Sequence, residues 1–316
     1  MPNRHARDDR LQLDEISDDR VGAQSAQTSA PTDQTTAPTD GTQPPEAASA
    51  LVDPRSTGSE YMLSQRGAPE FERARLRLLE AFHDPLTAAQ LDTIGVSDGW
   101  TCLDAGAGAG SVTRMLAERV GPRGSVLAVD LDTRLLETLA DDRIHVRRLD
   151  LRSEALPNDR FDLVHARLLV MHISARIRLL ERLVAGVRRG GWLMAAEPDF
   201  TTVSLSPANA VWQRTWPTFL DALVAGGWDP GYGGRLASDL AAVGLVDVHA
   251  ERVSSRGPGG SMILQLLSLT IERVRAQMTA LGASSSQIDE ARRLLEDPAN
   301  TIDSQTTYLA RARRRA

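Results

Sequence analysis

The residues most suited to chemistry are three glycines at alternating positions, Gly106, Gly108 and Gly110, in the stretch "TCLDAGAGAGS" (101–111), two residues behind Asp104. A glycine-rich turn between a strand and a helix offers backbone amides and a helix N-terminus to a ligand. The spacing is G-x-G-x-G. A dinucleotide turn reads G-x-G-x-x-G and has no carboxylate facing its pyrophosphate, and a P-loop needs G-K-[ST]. Asp104 would repel a phosphate and attract an ammonium or a sulfonium. Two more carboxylates end later apolar runs. Asp130, in "SVLAVDLD" (125–132), stands where an acceptor for ribose hydroxyls is expected, with Leu131 beside it. Asp150, in "RIHVRRLDL" (143–151), suits an adenine amino group, with Leu151 placed to cover the ring. A phosphate-free ligand with a cationic amino-acid end, a ribose diol and an adenine is S-adenosylmethionine.

The elements that must position these residues alternate. Apolar runs at 100–106, 125–132, 143–151, 161–167 and 190–199 are separated by helical stretches "SVTRMLAERVG", "TRLLETLADD" and "SARIRLLERLVAGVRRGG", the last expected to stop at Gly190–Gly191. Such alternation predicts an α/β, Rossmann-like doubly wound sheet covered on both faces. Upstream, "PEFERARLRLLEAFHDPLTAAQLDTIGV" has helical spacing with a break expected at Pro85 and a second helix after it. Downstream, helices at 208–226 and 261–297 are expected to cap the ligand edge. Within the latter, "SMILQLLSLTIERVRAQMTALG" reads as one long helix. "LVDVHAERV" reads as a strand, and "TIDSQTTYLARAR" as a closing edge strand.

At this point the chain resembles the class I S-adenosylmethionine-dependent methyltransferases, in their small-molecule branch. The resemblance rests on "LDAGAGAG", "VLAVDLD", "RRLDL", "FDLVHARLLVMHI" and "RRGGWLMAAEPDF" and covers residues 60–200. It implies a mostly parallel seven-stranded sheet with an antiparallel last strand. It also implies that Gly106, Gly108 and Gly110 hold the methionine part, Asp130 the ribose, and Asp150 with Leu151 the adenine. The family commonly has Cys where Ala107 stands. In the family a lead-in residue like Tyr61 often folds over the cofactor, and the backbone at the end of the fourth run would pass beneath the sulfonium, which makes Arg167 and Leu168 candidate pocket residues. Two residues qualify as bases for an acceptor proton: His172, where relatives line the pocket with an aromatic ring, and Glu197 at the end of the fifth run. His165 reads as a structural residue within its strand. Trp212, Trp216 and Trp228 suit either a substrate wall or helix packing.

Composition narrows the remaining alternatives. Residues 1–57 hold ten acids against five arginines, lack aromatics and are rich in Ala, Thr, Gln, Asp and Pro, the composition of a disordered leader. The methyltransferase domain is then 58–316: a cofactor-binding core at 60–200, cap and substrate helices at 201–300 and an edge strand at 303–313. The body carries almost no net charge, which disfavours nucleic acid. No run approaches a membrane span, and the N-terminus lacks a secretory pattern, so a cytoplasmic protein is expected, a monomer or homodimer. The single Cys102 excludes an intrachain disulfide and reads as a buried inert thiol, and the six histidines have no metal-site spacing. The expected chemistry is methyl transfer from S-adenosylmethionine to a small organic acceptor, with no metal. A non-catalytic binding protein on the same fold is the rival reading, ahead of a nucleic-acid methyltransferase or a dehydrogenase.

Overall fold

The computed structural model describes residues 69–316, apart from Thr138 and Ala140; the 1–57 leader and Tyr61 lie outside the described residues. The first helix, α1 (Pro69–Ile94), runs unbroken through Pro85. A proline inside a helix removes one backbone bond. Here the turn is tied from outside, because Arg167 donates to Asp84 Oδ1 (2.8 Å) and Thr87 Oγ1 (3.1 Å) on either side of it.

The sheet begins with β1 (Thr101–Ala105), and the glycine turn leads into α2 (Ser111–Val120). β2 (Ser125–Asp130) and β3 (Ile144–Arg148) follow. Between them a helix was expected over "TRLLETLADD", but residues 134–137 form turns. Asp132 and Asp141 each accept from the backbone amide and guanidinium two residues on, Arg134 and Arg143. Short acidic side chains that bond the local backbone compete with helix formation.

β4 (Phe161–Arg167) leads through a 3₁₀ turn (Val170–His172) into α3 (Arg176–Gly186). The helix stops at Gly186, not at Gly190–Gly191. β5 (Val187–Asp199) already pairs with β4 at Val187↔Phe161, shifts register, and resumes at Trp192↔Leu163. The two glycines therefore form an irregularity inside a strand, and a Cβ on Gly191 would sit 3.0 Å from the Asp162 carbonyl oxygen.

The second half supplies β6 (Ser204–Ser206), α4 (Ala210–Ala225), α5 (Leu236–Ala242), β7 (Val246–Val253) and β8 (Arg256–Pro258). Then come α6 (Met262–Arg273), α7 (Arg275–Ala280), α8 (Ser285–Glu296), β9 (Thr301–Asp303) and β10 (Thr306–Arg313). The long helix expected from 261 is divided at Val274, which is fully buried. Ile271, Val274 and Met278 on either side of the break are all in the core.

The main sheet has the order β3-β2-β1-β4-β5-β10-β7, and β6-β9-β8 form a small second sheet. β1 to β5 run parallel, and β10 is antiparallel to both β5 and β7. The antiparallel last strand is as expected, but β10 is not at the edge. Its Leu309, Ala310 and Ala312 are buried, and the mostly exposed β7 forms the border. Residues alternate between two cores along each strand, as a pleated sheet covered on both faces requires. Cys102, Val126, Leu163 and Met194 pack on one side with Leu91 and Leu116, and Leu103, Leu127, Val164 and Leu193 pack on the other. Burial pushes the Cys102 thiol well above its usual range. Among the described residues no helix is long and apolar enough to cross a membrane.

Candidate functional site

Strand order reverses between β1 and β4, and ligands of open α/β sheets bind outside the carboxyl ends of the strands at such a point. A cavity of about 230 Å³ lies there. It joins the 106–109 turn and Asp130 to a chamber walled by α1, the 168–172 segment, Phe200, Trp228 and α6.

The glycine turn is shaped from the sheet side. The amides of Gly106 and Ala107 donate to the Val129 carbonyl (2.9 and 3.1 Å), and Gly108 N–H donates to Asp130 Oδ2 at 2.9 Å. Gly108 has φ +58° and nothing within 4 Å of where a Cβ would stand, so its backbone borders open space. Gly110 has φ +82°, and a Cβ there would meet Leu139 Cδ1 at 2.6 Å. It shapes the helix entry without lining the cavity. Asp130 also accepts from the Asp132 amide at 3.0 Å, and it remains on the cavity wall.

Asp104 is 2% exposed. Thr113 Oγ1 donates to its Oδ2 at 2.6 Å, and His165 Nδ1 lies 2.8 Å from its Oδ1. Its charge therefore reaches the cavity mainly as a field, and His165 stands beside it on the wall. Among the described residues His165 Nε2 and His83 Nε2 are buried without a partner, and both rings line the cavity. His83 Nδ1 is 2.9 Å from the Leu79 carbonyl oxygen, so the ring donates there. Burial, then Arg167, holds its pKa down to about 4, which keeps Nε2 a bare acceptor. Arg167 lines the cavity while bound to Asp84, Thr87 and Ser111 Oγ. Leu168, at φ +54°, lines it too.

Other expected contacts lie off this wall. Asp150 is held by Arg152 Nε and Nη2 (both 2.9 Å), which keeps its carboxyl below the usual range. Leu151 is packed in the core. The Leu131 carbonyl accepts from Arg148 Nε. Trp212 and Trp216 stack on each other at 4.8 Å in the cap, and of the three tryptophans only Trp228 reaches the cavity.

The two expected bases separate. Glu197 is fully buried and not a cavity residue, which corrects its catalytic reading. Its Oε1 accepts from the amides of Leu169 (3.1 Å) and Val170 (2.8 Å), and its Oε2 from Met171 (3.3 Å). It braces the turn that carries His172. Burial raises its pKa to about 8 against those three donors. His172 does line the cavity, with its ring edge-on to Trp228 at 4.2 Å. Burial, then Arg273 and Arg75, lowers its pKa to about 3. A nitrogen that weakly basic is poorly matched to taking a proton at neutral pH.

Sequence reasoning missed Glu72, Arg75, His83 and Arg273, all on the wall. A signal for the arginines existed. Arg75 falls four residues after Phe71 and four before Leu79, and Arg273 falls seven after Leu266, so each interrupts an apolar helical stripe.

The cavity fits the cofactor inferred from the motifs. Carboxylates flank a turn with exposed backbone, and two buried imidazole nitrogens lack partners among the described residues, an arrangement suited to a cationic amino-acid end.

Comparison with known proteins agrees with this geometry. Residues 103–193, from β1 into β5, match the family model described as "Methyltransferase domain". Methyltransferase str2 of Strobilurus tenacellus is 27% identical over 192 residues, covering 59% of this chain and 68% of that protein. A methyltransferase solved with the Haloferax volcanii Trm112 activator matches with TM-score 0.50 and 13% identity, over 82% of this chain and 98% of the other. Haemonchus contortus phosphoethanolamine N-methyltransferase 2, solved with S-adenosyl-L-methionine, matches with TM-score 0.47 and 17% identity over 77% of this chain. The chain spans about half (53%) of that structure's length. Residues 103–193 thus resemble a methyltransferase domain in sequence, and the chain shares the fold of the methyltransferase solved with the Trm112 activator.

Proposed function

We propose that this protein methylates a small organic acceptor held in the chamber under α6, with S-adenosylmethionine bound at the 106–110 turn. The observation that carries the reading is the continuity of one cavity, from the glycine turn and Asp130 to the wall of His172, Trp228 and Phe200. When bound, the cofactor supplies a methyl group on a charged sulfonium, already an activated leaving group. The Gly106–Gly108 backbone, Asp104, Arg167 and Leu168 flank its methionine and sulfonium portion, and Asp130 accepts from its ribose. Asp150 and Leu151 are assigned to the adenine side, where Asp150 must be shared with Arg152. The protein's task is to align acceptor, methyl and sulfur and to exclude water, and alignment of that kind supplies several orders of magnitude.

The finer assignments belong to the same proposal. The domain occupies 58–316 behind an acidic leader, Tyr61 covers the cofactor, and the protein works in the cytoplasm as a monomer or homodimer without nucleic acid. Titration calorimetry with S-adenosylhomocysteine is the direct test, followed by a mass-shift screen of candidate acceptors with methyl-labelled cofactor. Saturable 1:1 binding and a labelled product are expected. No binding of S-adenosylhomocysteine overturns the reading.

A further inference from the structure

The acceptor end of the cavity carries two guanidiniums. Arg75 of α1, 8% exposed, spends Nε (3.1 Å) and Nη2 (2.7 Å) on Glu72, which leaves Nη1. Arg273, at the end of α6, has Nη1 3.6 Å from the same Glu72 carboxylate and its guanidinium carbon 5.9 Å from the Trp228 ring centre. One carboxylate is thus shared by two arginines that reach the chamber from opposite helices. The flat Trp228 and the apolar Met171, Phe200 and Leu267 complete the wall around them.

A neutral acceptor hydroxyl would need a base in this chamber. Glu197 faces the 169–171 backbone, and the His172 imidazole is held nearly unable to take a proton by burial and by these same two arginines. What this end of the chamber offers is two guanidiniums that share one carboxylate, beside an apolar slot. Paired guanidiniums lower the pKa of an acidic oxygen and keep it ionised.

We infer that the acceptor is an apolar organic acid whose ionised oxygen lies against Arg75 and Arg273, and that this oxygen is the atom methylated. This rests on the methyl-donor reading above. In the step, the anionic oxygen forms a bond to the methyl carbon as the carbon–sulfur bond breaks. The electron pair leaves on sulfur, so the sulfonium becomes a neutral thioether and the acceptor a neutral methyl ester or ether. No proton is transferred, so the step calls on neither Glu197 nor His172.

The test measures calorimetric binding of 2-naphthoate and of its uncharged isostere 2-naphthamide to the whole protein saturated with S-adenosylhomocysteine. The acid is expected to bind about tenfold more tightly than the amide, as a charge-assisted contact requires. Arg273→Gln is expected to bring the two within about twofold while S-adenosylhomocysteine binding stays intact, and Arg273→Lys to keep most of the preference. Equal binding of acid and amide to the wild-type protein overturns the inference, and so does failure of both to bind. A preference that survives Arg273→Gln overturns it as well. The wild-type ratio decides even if the glutamine variant does not fold. Loss of S-adenosylhomocysteine binding by the wild-type protein sinks the donor reading itself, so the two failures are distinct.

Discussion

Replacing Glu197 with Gln removes a carboxylate that the fold buries completely against backbone amides. In the native protein its pKa is about 8, against an ordinary 4.5, with burial as the main cause. Between those values the folded state holds a proton that the unfolded chain has released, so stability falls as pH rises through this window. From pH 5.5 to 8.5 the loss from this group is about 3 kcal/mol. For a domain of this size that is roughly 6–12 °C in Tm. The glutamine keeps an oxygen for the Leu169 and Val170 amides and turns its NH2 toward Met171, a cost of about 1 kcal/mol at every pH. His83 and His172, with pKa values lowered to about 4 and about 3, act in the opposite sense. Their stabilisation is present above pH 6.5 and is lost as pH falls toward their folded values, equally in both proteins. The difference between wild type and variant isolates Glu197. Thermal melts at pH 5.5, 7.0 and 8.5 should give nearly equal Tm at the lowest pH and a variant several degrees ahead at the highest. Parallel curves would refute the argument, because Glu197 would then ionise in the native protein as readily as in the unfolded chain.

Other expectations separate cofactor contacts from scaffold. Asp130→Asn should weaken S-adenosylhomocysteine binding by about tenfold or more, since it alters a cavity carboxylate that also holds the Gly108 amide. Asp150→Asn, altering the adenine-side carboxyl that is shared with Arg152, should weaken it less, by about threefold, in the same calorimetry. Gly110→Ala should cost about 2–3 kcal/mol in urea unfolding, because a Cβ at φ +82° would also press on Leu139. Thr113→Val should cost about 2 kcal/mol in that assay by stripping a buried donor from Asp104.

Much of the sheet was legible because parallel strands buried on both faces read as short apolar runs, and the turn at 106–110 could be read because left-handed backbone selects glycine. The misreadings share a cause. Pro85, Gly190–Gly191 and the last strand were judged by local rules, while distant partners decide them: Arg167 flanking Pro85, β4 capturing Val187, and β7 adding outside β10. At the site, spacing pointed to Asp104 and Asp130 because they stand at or next to strand ends, and both line the cavity. It misplaced Glu197 because ending a strand does not say whether a carboxylate meets a ligand or the next turn's amides. Arg75 and Arg273 were obscured among 36 arginines, although each breaks an apolar stripe.

The helices α6 to α8 form an excursion whose entry and exit are stapled together. β8 and β9 pair at Arg256↔Asp303 and Pro258↔Thr301, and Gly259 N–H donates to the Asn300 carbonyl at 3.1 Å. The stretch 260–299 is therefore a cassette with adjoining ends, and it contains Arg273 but none of the donor-binding loop. A graft at that neck would replace one wall of the cavity while leaving the 106–110 turn in its own strand-to-helix setting, provided the new piece kept the leucines and isoleucines that the stretch lends to the main core.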